Sequence, residues 1–180
     1  AHSLRAVEPT KISSVLDNVE LMLNRFPIHI HIAEQILEVE QCIEVNGVRP
    51  ITWLFDQCEI DENWCLIHAT HANSSELKKI IKSKAVVGLC PTTEANLGDG
   101  IFPANSLIQN DGFFGIGSDS QISISPPEEL KFLEYTQRLV NKKRMVLATK
   151  QFANNGVSLL NDAVIGGNKA RGEIKSGIMP

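Results

Sequence analysis

Two features that would place the chain in a specialised class are missing from its sequence. Lysine and arginine total 17 against 21 aspartate and glutamate residues, so the net charge is −4 and there is no basic stripe for nucleic acid. The longest apolar runs are interrupted by charged residues well before they could span a bilayer. The sequence therefore favours neither a nucleic-acid-binding protein nor a membrane-spanning one.

Cysteine is also scarce, and its arrangement argues against two kinds of site. The four cysteines, Cys42, Cys58, Cys65 and Cys90, include no C-x-x-C pair. Such wide spacing fits neither a disulfide framework nor a zinc knuckle. The pattern predicts buried free thiols in a protein of the reducing cytoplasm.

The length and the two ends of the chain bear on its domain organisation. The 180 residues are 43% hydrophobic and 21% charged, as expected for one globular domain with a sizeable core. The sequence begins at Ala1 rather than at methionine and stops at Met179-Pro180, just after a glycine-rich turn. We therefore expect residues 1–180 to be one part of a longer polypeptide.

Apolar periodicity divides the chain into alternating strands and helices. The predicted strands are Ile28 to Ala33, Trp64 to Ala69, Ala85 to Cys90 and Phe113 to Gly117. The predicted helices are Thr10 to Phe26, Gln35 to Val45, Ile51 to Gln57, Ser74 to Lys84 with serine N-caps, Ala104 to Gln109, Pro127 to Thr149 and Val157 to Val164. Thr92 to Gly100 is predicted as a glycine-rich loop.

This alternation predicts an α/β fold in which helices bury both faces of a parallel sheet. Two architectures satisfy it. Four β/α units make half of a TIM-like (β/α)8 barrel. A complete small flavodoxin-like sheet satisfies the periodicity equally well.

Polar residues follow the predicted strands where each strand ends. His31 and Glu34 follow the first strand, His68 the second, Thr92 to Glu94 the third and Asp119 the fourth. Because active sites in parallel α/β folds lie at the carboxyl edge of the sheet, we expect these side chains to share one rim. This clustering favours the barrel.

His31 and Asp119 are the candidate metal ligands. Strict alternation puts His31 and His29 on one face of the first strand, with His31 nearer the rim and His29 expected to be structural. A neutral imidazole is a common metal ligand, although a lone histidine is more often a satisfied core residue. Asp119 ends the last apolar strand, where a carboxylate can bind metal and accept a proton, or can simply cap the following turn.

Glu34 and His68 are the candidate catalytic groups. A carboxylate placed like Glu34 can move a proton from water to a leaving nitrogen, although a glutamate there also favours the dipole of the following helix. His68 closes an apolar strand, where it could bind metal or donate a hydrogen bond to a charge developing on a substrate. His71 lies further along the loop, and we expect it to face solvent.

Arg5 and His2 are candidates for binding an anionic substrate group, because a planar guanidinium suits a carboxylate. Spacing alone gives this little weight, since an isolated arginine is usually a surface residue. The run from Thr92 to Gly100 lacks the G-x-x-x-x-G-K-[ST] pattern, which excludes a phosphate-binding P-loop.

Several segments together resemble the ordered motifs of the amidohydrolase superfamily. Within that superfamily they resemble the branch that deaminates aminated or iminated carbons, and most of all the formimidoylglutamate deiminase family. The segments run through nearly the whole chain in order: His2 to Val7, Ile28 to Gln35, Cys65 to His71, Leu89 to Ala104, Gly117 to Ser120 and Glu129 to Leu139.

The resemblance implies a mononuclear zinc site on a (β/α)8 barrel. By position, His31 would be the metal histidine of the fifth strand and Asp119 the metal aspartate of the eighth. Glu34 would be the proton shuttle, His68 the catalytic histidine of the sixth strand, and Asp119 would also take part in catalysis. His2 and Arg5 would bind the substrate near its carboxylates.

The implied reaction is hydrolysis of the formimino C=N bond of N-formimino-L-glutamate, a small-molecule substrate of histidine degradation, to N-formyl-L-glutamate and ammonia. The implied agent is hydroxide activated by the metal, and the implied assembly is a homodimer in the cytoplasm. Another deaminase of the superfamily, acting on guanine or cytosine, is the runner-up. Arg5 favours a dicarboxylate over such neutral rings.

The resemblance also implies that residues 1–180 are the C-terminal half of the barrel, strands 5 to 8. The family's first-strand H-x-H pair has no counterpart here, because His29-Ile30-His31 leads directly into Ala33-Glu34. We expect the first four strands, a small β domain and two further histidine ligands to lie outside this sequence. As given, the segment could therefore be a non-catalytic half-barrel. Gln121 also stands where the family is expected to have histidine.

Overall fold

The computed structural model describes residues 26–121, 123–149 and 154–173, which form four strands and seven helices. The strands are β1 (Ile28–Ile32), β2 (Trp64–His68), β3 (Val86–Leu89) and β4 (Phe113–Ile116). The helices are α1 (Ile36–Asn46), α2 (Pro50–Gln57), α3 (Ser74–Ser83), α4 (Pro91–Leu97), α5 (Ala104–Ile108), α6 (Pro126–Asn141) and α7 (Asn155–Ala170). The predicted helix from Thr10 to Phe26 lies outside the described residues except at its last position.

The four strands form one parallel sheet in the order β1-β2-β3-β4. Each strand is joined to the next through at least one helix, as parallel pairing requires. Neighbours in sequence are therefore neighbours in the sheet, and all four carboxyl ends meet at one edge. The predicted α/β architecture is confirmed, and its strands agree with the predicted ones to within about two residues at each end.

One face of the sheet carries most of the hydrophobic core. Ile30, Leu66, Val87 and Phe114 are paired in register across the four strands, and none is more than 3% exposed. Helix residues such as Leu54 pack into the same core. On the opposite face, His29 and His31 are in register with Cys65 and Ile67. This second face is less apolar and leads to the polar rim.

Helix α7 approaches the backbone of β4 through a pair of glycines. A Cβ atom placed on Gly166 would lie 1.8 Å from the carbonyl oxygen of Phe114, whereas one placed on Gly167 would meet nothing within 4 Å. Only a residue without a side chain allows the helix to pack this closely. Near the end of the same helix, His29 Nε2 donates a hydrogen bond to the Ala170 carbonyl at 2.8 Å, in agreement with its expected structural role.

Helix boundaries account for most differences from the sequence-based prediction. The segment predicted as a glycine-rich loop contains α4, because Pro91 suits a first helical position and Gly98 ends the helix at φ +72°. Helix α6 stops at Asn141 rather than Thr149, and α7 runs from Asn155 to Ala170 rather than from Val157 to Val164. The cap of α3 is Asn73, whose side chain accepts from the N–H groups of Ser75 and Glu76, rather than a serine.

All four cysteines are free thiols in the structure. Cys42, Cys65 and Cys90 are buried and Cys58 is partly so, which agrees with the prediction made from their spacing. Burial raises the pKa of the Cys65 thiol to about 12, so it carries little thiolate at neutral pH. Among the described helices, none is long and apolar enough to cross a membrane.

Candidate active site

Hydrogen bonds beyond the strand ends bring the predicted site residues together. The N–H of Ala69 donates to the Ile32 carbonyl at 3.0 Å, and the N–H of His71 donates to the Ala33 carbonyl at 3.1 Å. On the other side of the sheet, the N–H of Gly117 donates to the Leu89 carbonyl at 2.9 Å. The loops after β1 and β2 are therefore joined, as are those after β3 and β4.

Backbone strain is present at the same edge, which holds four of the eight described non-glycine residues with positive φ. Ala33, His68 and Asp119 have φ values of +50°, +66° and +49°, in the left-handed region that residues with a Cβ rarely adopt. Three of the four strands thus end in a sharp turn at or beside a predicted site residue. Strained backbone persists where the surrounding structure holds it, and it is enriched at functional sites.

His68 lies between two carboxylates. Its side chain is fully buried, with Nδ1 3.2 Å from Glu94 Oε1 and Nε2 3.6 Å from Glu34 Oε1. Burial by itself would lower the pKa of His68. The hydrogen bond to Glu94 and the negative charges of Glu34, Glu94 and Asp119 outweigh it, and the pKa of His68 is raised above its ordinary value. These partners shift the equilibrium of His68 toward the imidazolium form, which can donate from both nitrogens.

Glu94 belongs to the polar group Thr92 to Glu94 that follows the third strand, but no role of its own was assigned to it from the sequence. It lies in the first turn of α4, is 5% exposed, and accepts hydrogen bonds at Oε1 from His68 Nδ1 and from the N–H of Cys90 at 2.9 Å. This contact orients the His68 ring so that Nε2 faces Glu34. A glutamate directly after a buried strand indicates a possible site residue. Because the segment was predicted as a loop, the sequence did not indicate that this side chain points toward His68.

Glu34 is partly buried beside His68, with a side chain that is 20% exposed. Burial raises the pKa of Glu34, and the charges of Asp99 and Asp119 add to that effect, while His68 and His31 oppose it; the pKa stays above its ordinary value. A carboxyl group with a raised pKa exchanges protons more readily near neutral pH. The position and environment suit the predicted proton transfer.

His31 and Asp119 lie beside this pair. The His31 ring centroid is 5.4 Å from that of His68, with the two ring planes inclined at 43°. Asp119 is exposed just beyond β4, and its charge acts on both Glu34 and His68. The sheet therefore gathers the four predicted residues of the described region at one edge.

The donor types of His31 and Asp119 suit a zinc ion, which accepts imidazole nitrogen and carboxylate oxygen. Within the described residues, however, no group of three or more His, Cys, Asp or Glu side chains is arranged to hold a metal ion. The two residues fit as part of a metal site whose remaining ligands come from elsewhere.

His71 differs from its prediction. Nε2 of His71 is buried rather than directed to solvent, and its ring lies near Gly100, where an added Cβ would be 3.4 Å from His71 Cε1. Within the described region, Asp99 Oδ2 and Thr70 Oγ1 are also buried without hydrogen-bond partners. These atoms add polar groups to the loops around the site. The predicted anion-binding residues His2 and Arg5 lie outside the described residues.

Comparison with known proteins places the chain in a family. The model of the amidohydrolase family matches residues 1–161. Formimidoylglutamate deiminase of Pseudomonas aeruginosa is 48% identical over 96% of this chain, which spans 37% of that protein's length.

Solved structures agree in fold. A crystal structure of an amidohydrolase from Brucella melitensis matches with a TM-score of 0.91 and 48% identity, covering 98% of this chain and 38% of that one. An adenosine deaminase from Xanthomonas campestris with bound zinc matches with a TM-score of 0.86 at 20% identity, covering 98% and 39%. The chain belongs to the amidohydrolase family, and its parallel sheet is part of that family's (β/α)8 barrel.

Proposed function

We propose that the polypeptide carrying this sequence is a metal-dependent deiminase that hydrolyses N-formimino-L-glutamate to N-formyl-L-glutamate and ammonia. The observation that carries the proposal is the 48% identity to a formimidoylglutamate deiminase along 96% of the chain. The contact between Glu34 and His68 supplies groups for proton transfer and charge stabilisation in the same place.

His31 and Asp119 would hold a divalent metal, most readily zinc, together with ligands outside this sequence. A bound metal would supply a Lewis acid and would make water more acidic. The described residues contain no group of three or more candidate ligands that could hold the metal without ligands from outside this sequence.

Glu34 performs the proton transfer in this proposal. The oxygen of water bonds to the formimino carbon, and Glu34 takes a proton from that water. Glu34 gives this proton to the terminal formimino nitrogen, then takes the second proton from the hydroxyl group now on the carbon and passes it to the same nitrogen. The bond from carbon to that nitrogen breaks as the C=O bond forms, and ammonia leaves. The carbon becomes the formyl carbonyl, so atoms and charge balance. The raised pKa of Glu34 suits a group that must both accept and release a proton.

His68 stabilises charge at the reacting group. Glu94 accepts from Nδ1 and thereby leaves Nε2 directed toward Glu34 and the substrate. Such a preorganised donor strengthens its hydrogen bond as negative charge develops in the transition state. Arg5 and His2 are proposed to bind the two substrate carboxylates, which fixes the formimino group with respect to Glu34.

We further propose that residues 1–180 supply the last four strands of the barrel and that the active polypeptide is a homodimer. The first part rests on the share of the relatives that the chain covers, 37% and 38%. The remaining strands would close the barrel, whose interior four strands alone leave open.

The test is ammonia release by the full polypeptide that carries this sequence, loaded with zinc. N-formimino-L-glutamate is compared with guanine, cytosine and adenosine at equal concentrations. We expect turnover of the formimino compound to exceed that of each ring by at least about a hundredfold, since a site built for a charged group strongly rejects analogues that lack it. Preferred turnover of a ring would overturn the assignment of the substrate.

A further inference from the structure

Glu38 is a buried carboxylate directed at the backbone that carries Glu34. It lies in the first turn of α1 and is 1% exposed. Its Oε1 accepts from the N–H of Ala33 at 2.9 Å, and its Oε2 accepts from the N–H of Glu34 at 3.0 Å. Both carboxylate oxygens thus bind consecutive peptide groups at the point where the chain leaves β1.

This arrangement differs from an ordinary helix cap. In a capping box, the glutamate at the third helical position accepts from the N–H of the N-cap residue. Glu76 does this in α3, accepting from the N–H of its N-cap residue Asn73 at 3.0 Å. Glu38 occupies the same position in α1, but it passes over the N-cap residue Gln35 and binds the two peptides before it.

The bound peptides include a strained one. Ala33 has a φ of +50°, so the chain turns sharply between His31 and Glu34. Charge-assisted hydrogen bonds from two consecutive N–H groups are strong and directional, and they hold such a turn in a single geometry. A buried carboxylate is costly unless its oxygens are bonded in this way, which makes the turn and Glu38 mutually dependent.

We infer that Glu38 is a positioning residue for Glu34, an inference that rests on the proposed function of Glu34. By fixing the peptide nitrogens of Ala33 and Glu34, it sets the direction in which the Glu34 side chain leaves the backbone. That direction brings Glu34 Oε1 to 3.6 Å from His68 Nε2. Glu38 itself binds backbone on the helix side of the turn and takes no part in proton transfer.

The test compares Glu38→Gln with Glu134→Gln in the full polypeptide. The glutamine at position 38 keeps the size of the side chain but turns an amide N–H₂ toward one of the two backbone donors. Glu134 is the matched control, because it is 3% exposed and accepts from the consecutive N–H groups of Val146 and Leu147 at 3.1 and 3.0 Å. It performs the same kind of structural task in a segment that carries no site residue.

For Glu38→Gln we expect kcat to fall about ten- to a hundredfold, as for a catalytic group displaced by up to about 1 Å from its reacting position. KM should stay near its wild-type value, because the substrate carboxylates are bound elsewhere. Glu134→Gln should keep the wild-type kcat. Amide hydrogen exchange at residues 33 and 34 should accelerate in Glu38→Gln and not in Glu134→Gln.

A folded Glu38→Gln protein with wild-type kcat would overturn the inference, and so would an equal loss of kcat in the two variants. Failure of the proposed function would be observed differently: the wild-type protein itself would release no ammonia from N-formimino-L-glutamate. In that event hydrogen exchange decides, and unchanged exchange at residues 33 and 34 in Glu38→Gln would overturn the positioning role.

Discussion

His68 illustrates at the scale of single residues how environment assigns a chemical task. Glu94 occupies one ring nitrogen and Glu34 approaches the other, so the ring has a fixed orientation and a raised pKa. A histidine at the end of an apolar strand was detectable in the sequence, because a polar group there needs a partner. The pairing with Glu94 was not, since it depends on where the first turn of α4 lies relative to the end of β2.

Replacement of His68 by asparagine distinguishes the roles of its two ring nitrogens. The asparagine amide retains a donor near the position of Nδ1 for Glu94, tolerates the left-handed backbone at φ +66°, and removes Nε2. We expect kcat to fall about 10²- to 10³-fold, as when one preorganised transition-state donor is lost. The circular dichroism spectrum should be unchanged. His29→Asn is the control, because His29 bonds to the Ala170 carbonyl, and a similar loss of kcat there would contradict the role of His68.

Glu134 gives a prediction for the pH dependence of stability. Burial by itself would raise the pKa of Glu134, but hydrogen bonds from Arg138 and from the N–H groups of Leu147 and Val146 hold it below the ordinary value of 4.5. A carboxyl group with a lower pKa in the folded state stabilises the protein above its unfolded-state pKa. That contribution is lost as the pH falls through the folded-state pKa.

We therefore expect Glu134→Gln to lower the free energy of unfolding at neutral pH, with the difference from wild type shrinking as the pH falls below 4.5. Urea unfolding at a series of pH values measures this. A difference that stays constant or grows on acidification would contradict the assigned shift.

At the scale of elements, strands were easier to predict than helices. Each strand is a short apolar run between turn residues, and its burial is visible in composition alone. Helix α4 was missed because its Thr and Asn residues, and the glycines that follow it, are typical of loops, whereas Pro91 at the start and Gly98 at φ +72° define its ends. Helix α6 ends at Asn141 because Lys142 adopts a left-handed cap, which a lysine does not signal.

The glycine pair of α7 provides a test at this scale. Gly166→Ala places a Cβ atom 1.8 Å from the Phe114 carbonyl oxygen, so α7 must move away from β4. We expect a loss of about 1–3 kcal/mol or more in the free energy of unfolding, as for other overpacked sites.

Gly167→Ala is the matched control, because its Cβ meets nothing within 4 Å. In a helix interior this change should stabilise by about 0.5–1 kcal/mol through the better helix propensity of alanine. Thermal unfolding of both variants of the full polypeptide gives the comparison. Equal effects of the two substitutions would contradict the close packing of α7 on β4.

At the scale of the whole molecule, the sheet topology explains why residues far apart in sequence share one site. Parallel strands in consecutive order bring His31, His68 and Asp119 to the same edge. The alternation of strands and helices predicted this arrangement. Whether the sheet is complete was not decided by periodicity, because half a barrel and a small open sheet have the same local pattern.

Because the chain covers only 37% and 38% of two relatives, we predict that it binds metal incompletely on its own. In the proposal, residues 1–180 contribute His31 and Asp119 as ligands, and the described region contains no group of three or more candidate ligands. We expect the segment expressed alone to bind zinc weakly and to lose it on dialysis, whereas the full polypeptide retains it. Elemental analysis after dialysis measures this, and stoichiometric zinc on the segment alone would contradict it.

Hydrolysis of the formimino group is measured most directly by NMR. The full, zinc-loaded polypeptide is incubated with N-formimino-L-glutamate labelled at the formimino carbon, and the labelled products are identified. We expect the labelled carbon to appear as N-formyl-L-glutamate, one ammonia to be released for each molecule converted, and His68→Asn to suppress both. Persistence of the labelled formimino signal in the presence of folded, zinc-containing wild-type protein would contradict this expectation.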